Sequence, residues 1–128
     1  MRMTKHNPAT VGTVPHGYSH GVEVSGTGRI LYISGQVGVG ADGQTVADYP
    51  DQVRTALKNF LAVLDAAGMD ASNIVKMNIF VTPEADTGIY GRTHAEMLGD
   101  ITPAVTLVTV VKLGDPLWRV EIEGVAVG

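Results

Sequence analysis

Apolar positions in this chain follow two different periods. Val53, Leu57, Phe60, Leu61 and Leu64 fall on one face of a 3.6-residue repeat. Asp48 stands where a side-chain oxygen can cap free N–H groups, Pro50 fits a first helical turn, and Gly68 follows the last apolar position. A helix from about Pro50 to Gly68 is predicted. Elsewhere the period is two. Ile74 to Val81 alternates around Lys76 and Asn78 and stops at Thr82-Pro83, which predicts a strand. Val22-Glu23-Val24 and Ile30-Leu31-Tyr32-Ile33-Ser34 read as two strands joined by a glycine-rich hairpin, Ser25-Gly26-Thr27-Gly28. The stretch Val37 to Gln44, with Gly38, Gly40 and Gly43, reads as a loop.

A second helix is predicted from about Asp86 to Leu98, interrupted by Gly88 and Gly91. Val105 to Val111 is apolar on both alternating faces apart from threonines, the pattern of a strand covered on both sides. In the last strand, Trp118 to Val127, one face carries Trp118, Val120, Ile122, Gly124 and Ala126. The other carries Arg119, Glu121, Glu123, Val125 and Val127. The order is β-β-α-β-α-β-β, preceded by an irregular lead-in over residues 1–14. This is an α+β domain over residues 1–128 whose two helices cover one face of a mixed sheet. The second face also needs a cover, so subunits are expected to pack sheet against sheet in a closed homo-oligomer.

Composition narrows the partners. The 128 residues are 45% hydrophobic, enough for one core. A net charge of -4, with nine Lys and Arg dispersed along the chain, gives no basic stripe, so nucleic acid is not an expected partner. The absence of cysteine removes disulfides, thiolate metal sites and cysteine nucleophiles. No apolar stretch approaches the ~20 residues that span a bilayer, and Met1 to Asn7 is not followed by an apolar signal region. A cytoplasmic protein is expected.

The chemistry-bearing pattern has three parts: Pro15-His16-Gly17-Tyr18-Ser19-His20, Ser34-Gly35-Gln36 at the end of a strand, and Val120-Glu121-Ile122-Glu123 in the last strand. With Asp42-Gly43, Gln52, Ala56-Leu57-Lys58-Asn59, Leu64-Asp65-Ala66-Ala67-Gly68, Ile74-Val75-Lys76 and Thr102-Pro103-Ala104, this ordered set resembles the Rid family, the YjgF or L-PSP proteins, from about Pro15 to Val127. The resemblance implies a chorismate-mutase-like fold, a homotrimer, and small-molecule pockets in the clefts between subunits. It implies hydrolysis of reactive imines or enamines to 2-oxo acids and ammonia with no cofactor. Glu121 matches the glutamate that positions water, while Tyr18 and Ser34, Gly35 and Gln36 match the pocket lining.

One position departs from that pattern. The best-known members carry an arginine after Pro-Ala to clamp the substrate carboxylate, and this chain has Val105. A guanidinium offers a planar fork and valine offers neither charge nor donor, a difference on the order of 2–5 kcal/mol where a substrate charge is buried. The pocket's ligand is then either neutral or an anion held by another cation, with Arg92, Arg119 and His20 as candidates. Two functions follow: a hydrolase or deaminase acting on a C–N bond, and a non-catalytic metabolite-binding protein. A nuclease role has no metal cluster, basic track or aromatic series behind it. His16 and His20 lack an obvious third partner for a metal, and His94 reads as a surface or internally satisfied histidine.

Overall fold

The computed structural model describes residues 1–12, 17–26 and 28–128. Pro15 and His16 of the first motif, and Thr27 of the glycine-rich turn, lie outside the described residues. The elements are β1 (Arg2–His6), β2 (Gly21–Ser25), β3 (Ile30–Val37), α1 (Tyr49–Ala66), β4 (Ile74–Val81), α2 (Thr87–Leu98), β5 (Ala104–Thr109) and β6 (Val120–Val127), with short 3₁₀ turns at Ala9–Val11 and Ala71–Asn73.

Helix α1 begins and ends where its sequence dictates. The Asp48 carboxylate accepts from the Asp51 N–H at 3.1 Å, and Gly68 takes the left-handed conformation (φ 71°) just past the C-terminus. Asp86 caps α2 in the same way, through the Gly88 N–H.

The main sheet runs β3-β6-β4-β5, with β4 and β5 parallel and the other pairs antiparallel. Strands β3, β4 and β5 therefore point the same way, linked by the crossovers β3-α1-β4 and β4-α2-β5. Both crossovers move in the same direction across the sheet. Right-handed crossovers of that kind put both helices on one face. That face holds the core: Val53, Leu57, Phe60 and Leu64 of α1 pack on Ile33, Met77, Ile79, Val120, Ile122 and Ala126. Gly124 makes room for Phe60, since a Cβ there would stand 2.8 Å from its ring.

The opposite face has no covering element among the described residues. Tyr32 is 76% exposed on it and Val108 39%. Among the described residues of a single chain, strand β5 is thus covered on one side only.

Two expectations are corrected. The lead-in contains a strand, because β1 pairs antiparallel with β2 from Arg2↔Ser25 to His6↔Gly21. Its alternation carries little apolar content and its residues bury little, so backbone hydrogen bonds hold it and no hydrophobic pattern advertises it. The hairpin between the segments around Val22 and Ile30 does not form as a ladder. β2 belongs to a two-stranded sheet with β1, whereas β3 spends its edge on β6. Gly26 (φ 94°) turns the chain between the two sheets, and a Cβ there would press on Met1 at 3.2 Å.

Candidate functional site

Glu121 lies on the bare face of β6, paired with Phe80 on one side and Val37 on the other. Strand β3 is irregular between Ile33 and Gln36, and the Ser34-Gly35 backbone is brought up against this glutamate. A Cβ on Gly35 would stand 2.2 Å from Glu121 Oε2, so the absence of a side chain is what permits the approach. Gln36 folds back, its Nε2 donating to the Ser34 carbonyl at 3.0 Å. The neighbouring Glu123 is engaged, accepting from Asn78 Nδ2 at 3.1 Å. Glu121 has no hydrogen-bond or ion-pair partner among the described residues.

Two amides of α1, the half-buried Asn59 and the buried Gln52, fix this region. Asn59 Nδ2 donates to the carbonyls of Val37 (3.0 Å) and Val39 (2.9 Å). Gln52, fully buried, donates to Val46 (2.9 Å) and Leu117 (3.1 Å) and accepts from the Arg119 N–H at 2.7 Å. The end of β3 and the start of β6 are both tied to one helix, and Glu121 inherits that rigidity. Neither amide was a candidate site residue from sequence. Their helical spacing of seven was visible, but what they bond to was not.

Tyr18 belongs elsewhere. Ser19 is stapled to the start of β5: its N–H donates to the Pro103 carbonyl at 2.8 Å and its hydroxyl to the Thr102 carbonyl at 2.6 Å. Lys5 reaches the same Thr102 carbonyl from β1. The Tyr18 ring stands edge-on to His20, centroids 5.8 Å apart. Tyr18, Arg92, Thr102, Val105 and Leu107 line a cavity of about 870 Å³ between α2 and β5. Gly88 and Gly91, which break the helical pattern in the sequence, also line it, and a Cβ on Gly91 would meet only open space.

The inner wall of this cavity is a hydrogen-bonded pair. His94, 3% exposed, places Nε2 at 3.0 Å from the Ile101 carbonyl and Nδ1 at 3.1 Å from the Tyr90 hydroxyl. A carbonyl only accepts, so Nε2 carries a proton, and in the neutral imidazole Nδ1 accepts from Tyr90. Burial pushes the Tyr90 phenol well above its ordinary value. The imidazole also backs the left-handed Gly17 (φ 77°), whose Cβ would lie 3.3 Å from it. His94 is thus the internally satisfied histidine of the two readings its sequence allowed.

The candidates therefore fall into separate groups. Glu121, Ser34, Gly35 and Gln36 meet at β3 and β6. Tyr18, Val105 and Arg92 meet at the outer edge of β5. Arg119 joins neither: its guanidinium donates to the Ala47 carbonyl and lies over the Tyr49 ring, 5.1 Å from the centroid. Val105 pairs with Met77 and faces the helices, whereas Glu121 pairs with Phe80 and faces away. They sit two strands apart, about 10 Å across the sheet, and three residues apart along it, on opposite faces. Among the described residues no group of three His, Asp or Glu could hold a metal. Among those residues no helix is long and apolar enough to cross a membrane.

An α+β domain with two helices on one face of a mixed sheet is the chorismate-mutase-like fold of the Rid proteins. The chain belongs to that family. The family model described as Endoribonuclease L-PSP matches residues 6–128. A 2-iminobutanoate/2-iminopropanoate deaminase of Mus musculus is 35% identical over 97% of this chain and 87% of its own length. The crystal structure of the Rid protein YyfB from Yersinia pestis superposes with a TM-score of 0.86, at 31% identity and 99% coverage of both chains. That of Escherichia coli TdcF with bound serine gives 0.73, at 29% identity, covering 90% of this chain and 91% of TdcF.

Proposed function

We propose that the protein is a cofactor-independent hydrolase of imines or enamines, working in clefts between the subunits of a cytoplasmic homotrimer. Glu121 is the general base. It takes a proton from water as the oxygen attacks the C=N carbon and returns it to nitrogen, giving a carbinolamine; it then takes the hydroxyl proton as the C=O bond forms and passes it to the nitrogen as the C–N bond breaks, releasing ammonia and the oxo product. The observation that carries the reading is the Glu121 carboxylate, without a partner among the described residues and seated on Gly35. It stands on the sheet face that the helices leave bare.

Because the two groups of residues face opposite sides of one sheet, their convergence requires a second copy of the chain. Glu121 with Ser34, Gly35 and Gln36 of one subunit then meets the cavity of Tyr18, Val105 and Arg92 at the β5 edge of its neighbour. Support comes from the mouse relative, named for 2-iminobutanoate and 2-iminopropanoate, and from the small amino acid bound to TdcF. Val105, which supplies neither charge nor donor, favours one other reading: a metabolite-binding protein that keeps the cavity and performs no turnover.

Release of ammonia and 2-oxo acid from freshly generated imines, wild type against Glu121→Gln, separates the two. Loss of roughly 10²-fold or more in the variant is expected of a general base. No acceleration by the wild type over the spontaneous rate refutes the hydrolase and leaves the binding protein.

A further inference from the structure

The cavity at β5 carries information about its ligand that Val105 alone does not. Its floor is apolar, built from Val105 and Leu107. Its cation is Arg92, on the outer side of α2. The guanidinium groups of Arg29, Arg54 and Arg119 are engaged by the Ala67 carbonyl, by Asp51 and Glu96, and by the Ala47 carbonyl respectively. Arg92 donates no hydrogen bond to a described residue. Its nearest acid, Asp86, is 3.9 Å away, and both side chains are 68% exposed, a pair of little strength. One Asp86 oxygen is already committed to the Gly88 N–H. A Cβ on Gly88 would stand 3.3 Å from Nη1, so the glycine leaves room for the guanidinium at the cavity's side.

We infer that Arg92 holds the anionic end of the ligand and that the ligand is a monocarboxylate with an extended apolar body. The inference rests on the reading of this cavity as half of the site proposed above. A planar guanidinium that donates no hydrogen bond to a described residue and is only weakly paired with Asp86 matches a carboxylate in bidentate fashion. Asp100 also lines the cavity, beyond the C-terminus of α2, and its charge opposes a dianion such as a phosphate monoester about twice as strongly as a single carboxylate. Carboxylate at Arg92 leaves the rest of the molecule over Val105 and Leu107, where an arginine at position 105 would have placed a second charge. Arg92 thus acts as a specificity-determining residue, and Val105 supplies the surface on which a longer chain rests.

The test is binding, read by ligand-observed NMR or calorimetry, of the straight-chain carboxylates from butanoate to octanoate and of the matching primary amides. Wild type, Arg92→Gln and Arg92→Lys are compared. Affinity for the acids is expected to rise with each added methylene, by up to roughly fourfold where it is fully buried, the equivalent of about 0.8 kcal/mol. Arg92→Gln weakens the acids roughly fivefold or more without changing the amides, and Arg92→Lys falls between. Equal binding of acids and amides, unchanged acid affinity in Arg92→Gln, no dependence on chain length, or no binding of any acid each overturns the inference. Imine hydrolysis is scored separately. Hydrolysis that depends on Glu121 with acid binding indifferent to Arg92 refutes this inference alone. Arg92-dependent binding without hydrolysis refutes only the hydrolase.

Discussion

Gly35→Ala separates the chemistry of Glu121 from the stability of the fold. The new methyl falls 2.2 Å from Glu121 Oε2, 2.7 Å from Cδ and 2.8 Å from Cγ, all well inside contact distance. Gly35 is not among the glycines in the left-handed region, so alanine fits the backbone, and the unfolded chain loses entropy worth about 0.4–1 kcal/mol in favour of folding. What must move is the end of a half-buried side chain that has no partner among the described residues. Displacing it from its rotamer costs about 0.5–1.5 kcal/mol. The two contributions nearly cancel, so the net change is expected within about 1 kcal/mol, a Tm shift of at most roughly 3–6 °C for a domain of this size.

Gly124→Ala is the contrasting substitution. Its methyl meets the Lys76 carbonyl oxygen at 2.5 Å and Phe60 Cζ at 2.8 Å. One of these is backbone and the other is a fully buried ring, so neither can swing away. Overpacking of this kind costs about 1–3 kcal/mol, and a drop on the order of 10 °C is expected at the upper end. Thermal unfolding followed by circular dichroism at one fixed protein concentration, with imine hydrolysis on the same samples, gives both readouts. Gly35→Ala should keep its Tm within a few degrees and lose most of its hydrolysis. Equal destabilisation by the two substitutions, or full hydrolysis in Gly35→Ala, would refute the argument that the glycine exists to seat Glu121.

Two further outcomes are expected. Burial raises the Tyr90 phenol, so its contribution to stability is complete below the unfolded value near pH 10 and is lost as pH rises from there toward the folded value. Urea unfolding at a series of pH values should therefore show an alkaline loss above about pH 10 that Tyr90→Phe flattens, and an unchanged slope in that variant refutes the assignment. On the bare sheet face, which also carries the exposed Tyr32, Val108→Glu places a charge beside Phe80, and light scattering should show the assembly reduced to the mass of one chain. An unaltered mass in the variant, or a monomeric wild type, removes the sheet-to-sheet assembly.

Elements with strong periodic patterns were legible before any coordinates. β4 runs over the residues its alternation predicts, and the two faces of β6 divide as the spacing requires, Val120, Ile122, Gly124 and Ala126 inward. α1 starts one residue before its proline because the capping carboxylate fixes its first turn. Strand β1 was not legible, since a ribbon that buries little has no apolar alternation to read. The glycines of α2 were visible as interruptions of a helix, and their other consequence, a helix side low enough to leave a cavity, was not.

The sequence by itself determined the class of fold, the helix that fills the core and the residue types on each side of the last strand, because caps, turns and periodicity act over a few residues. Only the tertiary structure decided that Arg92 shares a cavity with Val105 and Tyr18, that Arg119 is spent on Ala47 and Tyr49, and that Glu121 faces away from all of them. Those relations depend on strand order and on which side of the sheet the crossovers take. Both are set by packing between residues far apart in the chain, and no local pattern records them.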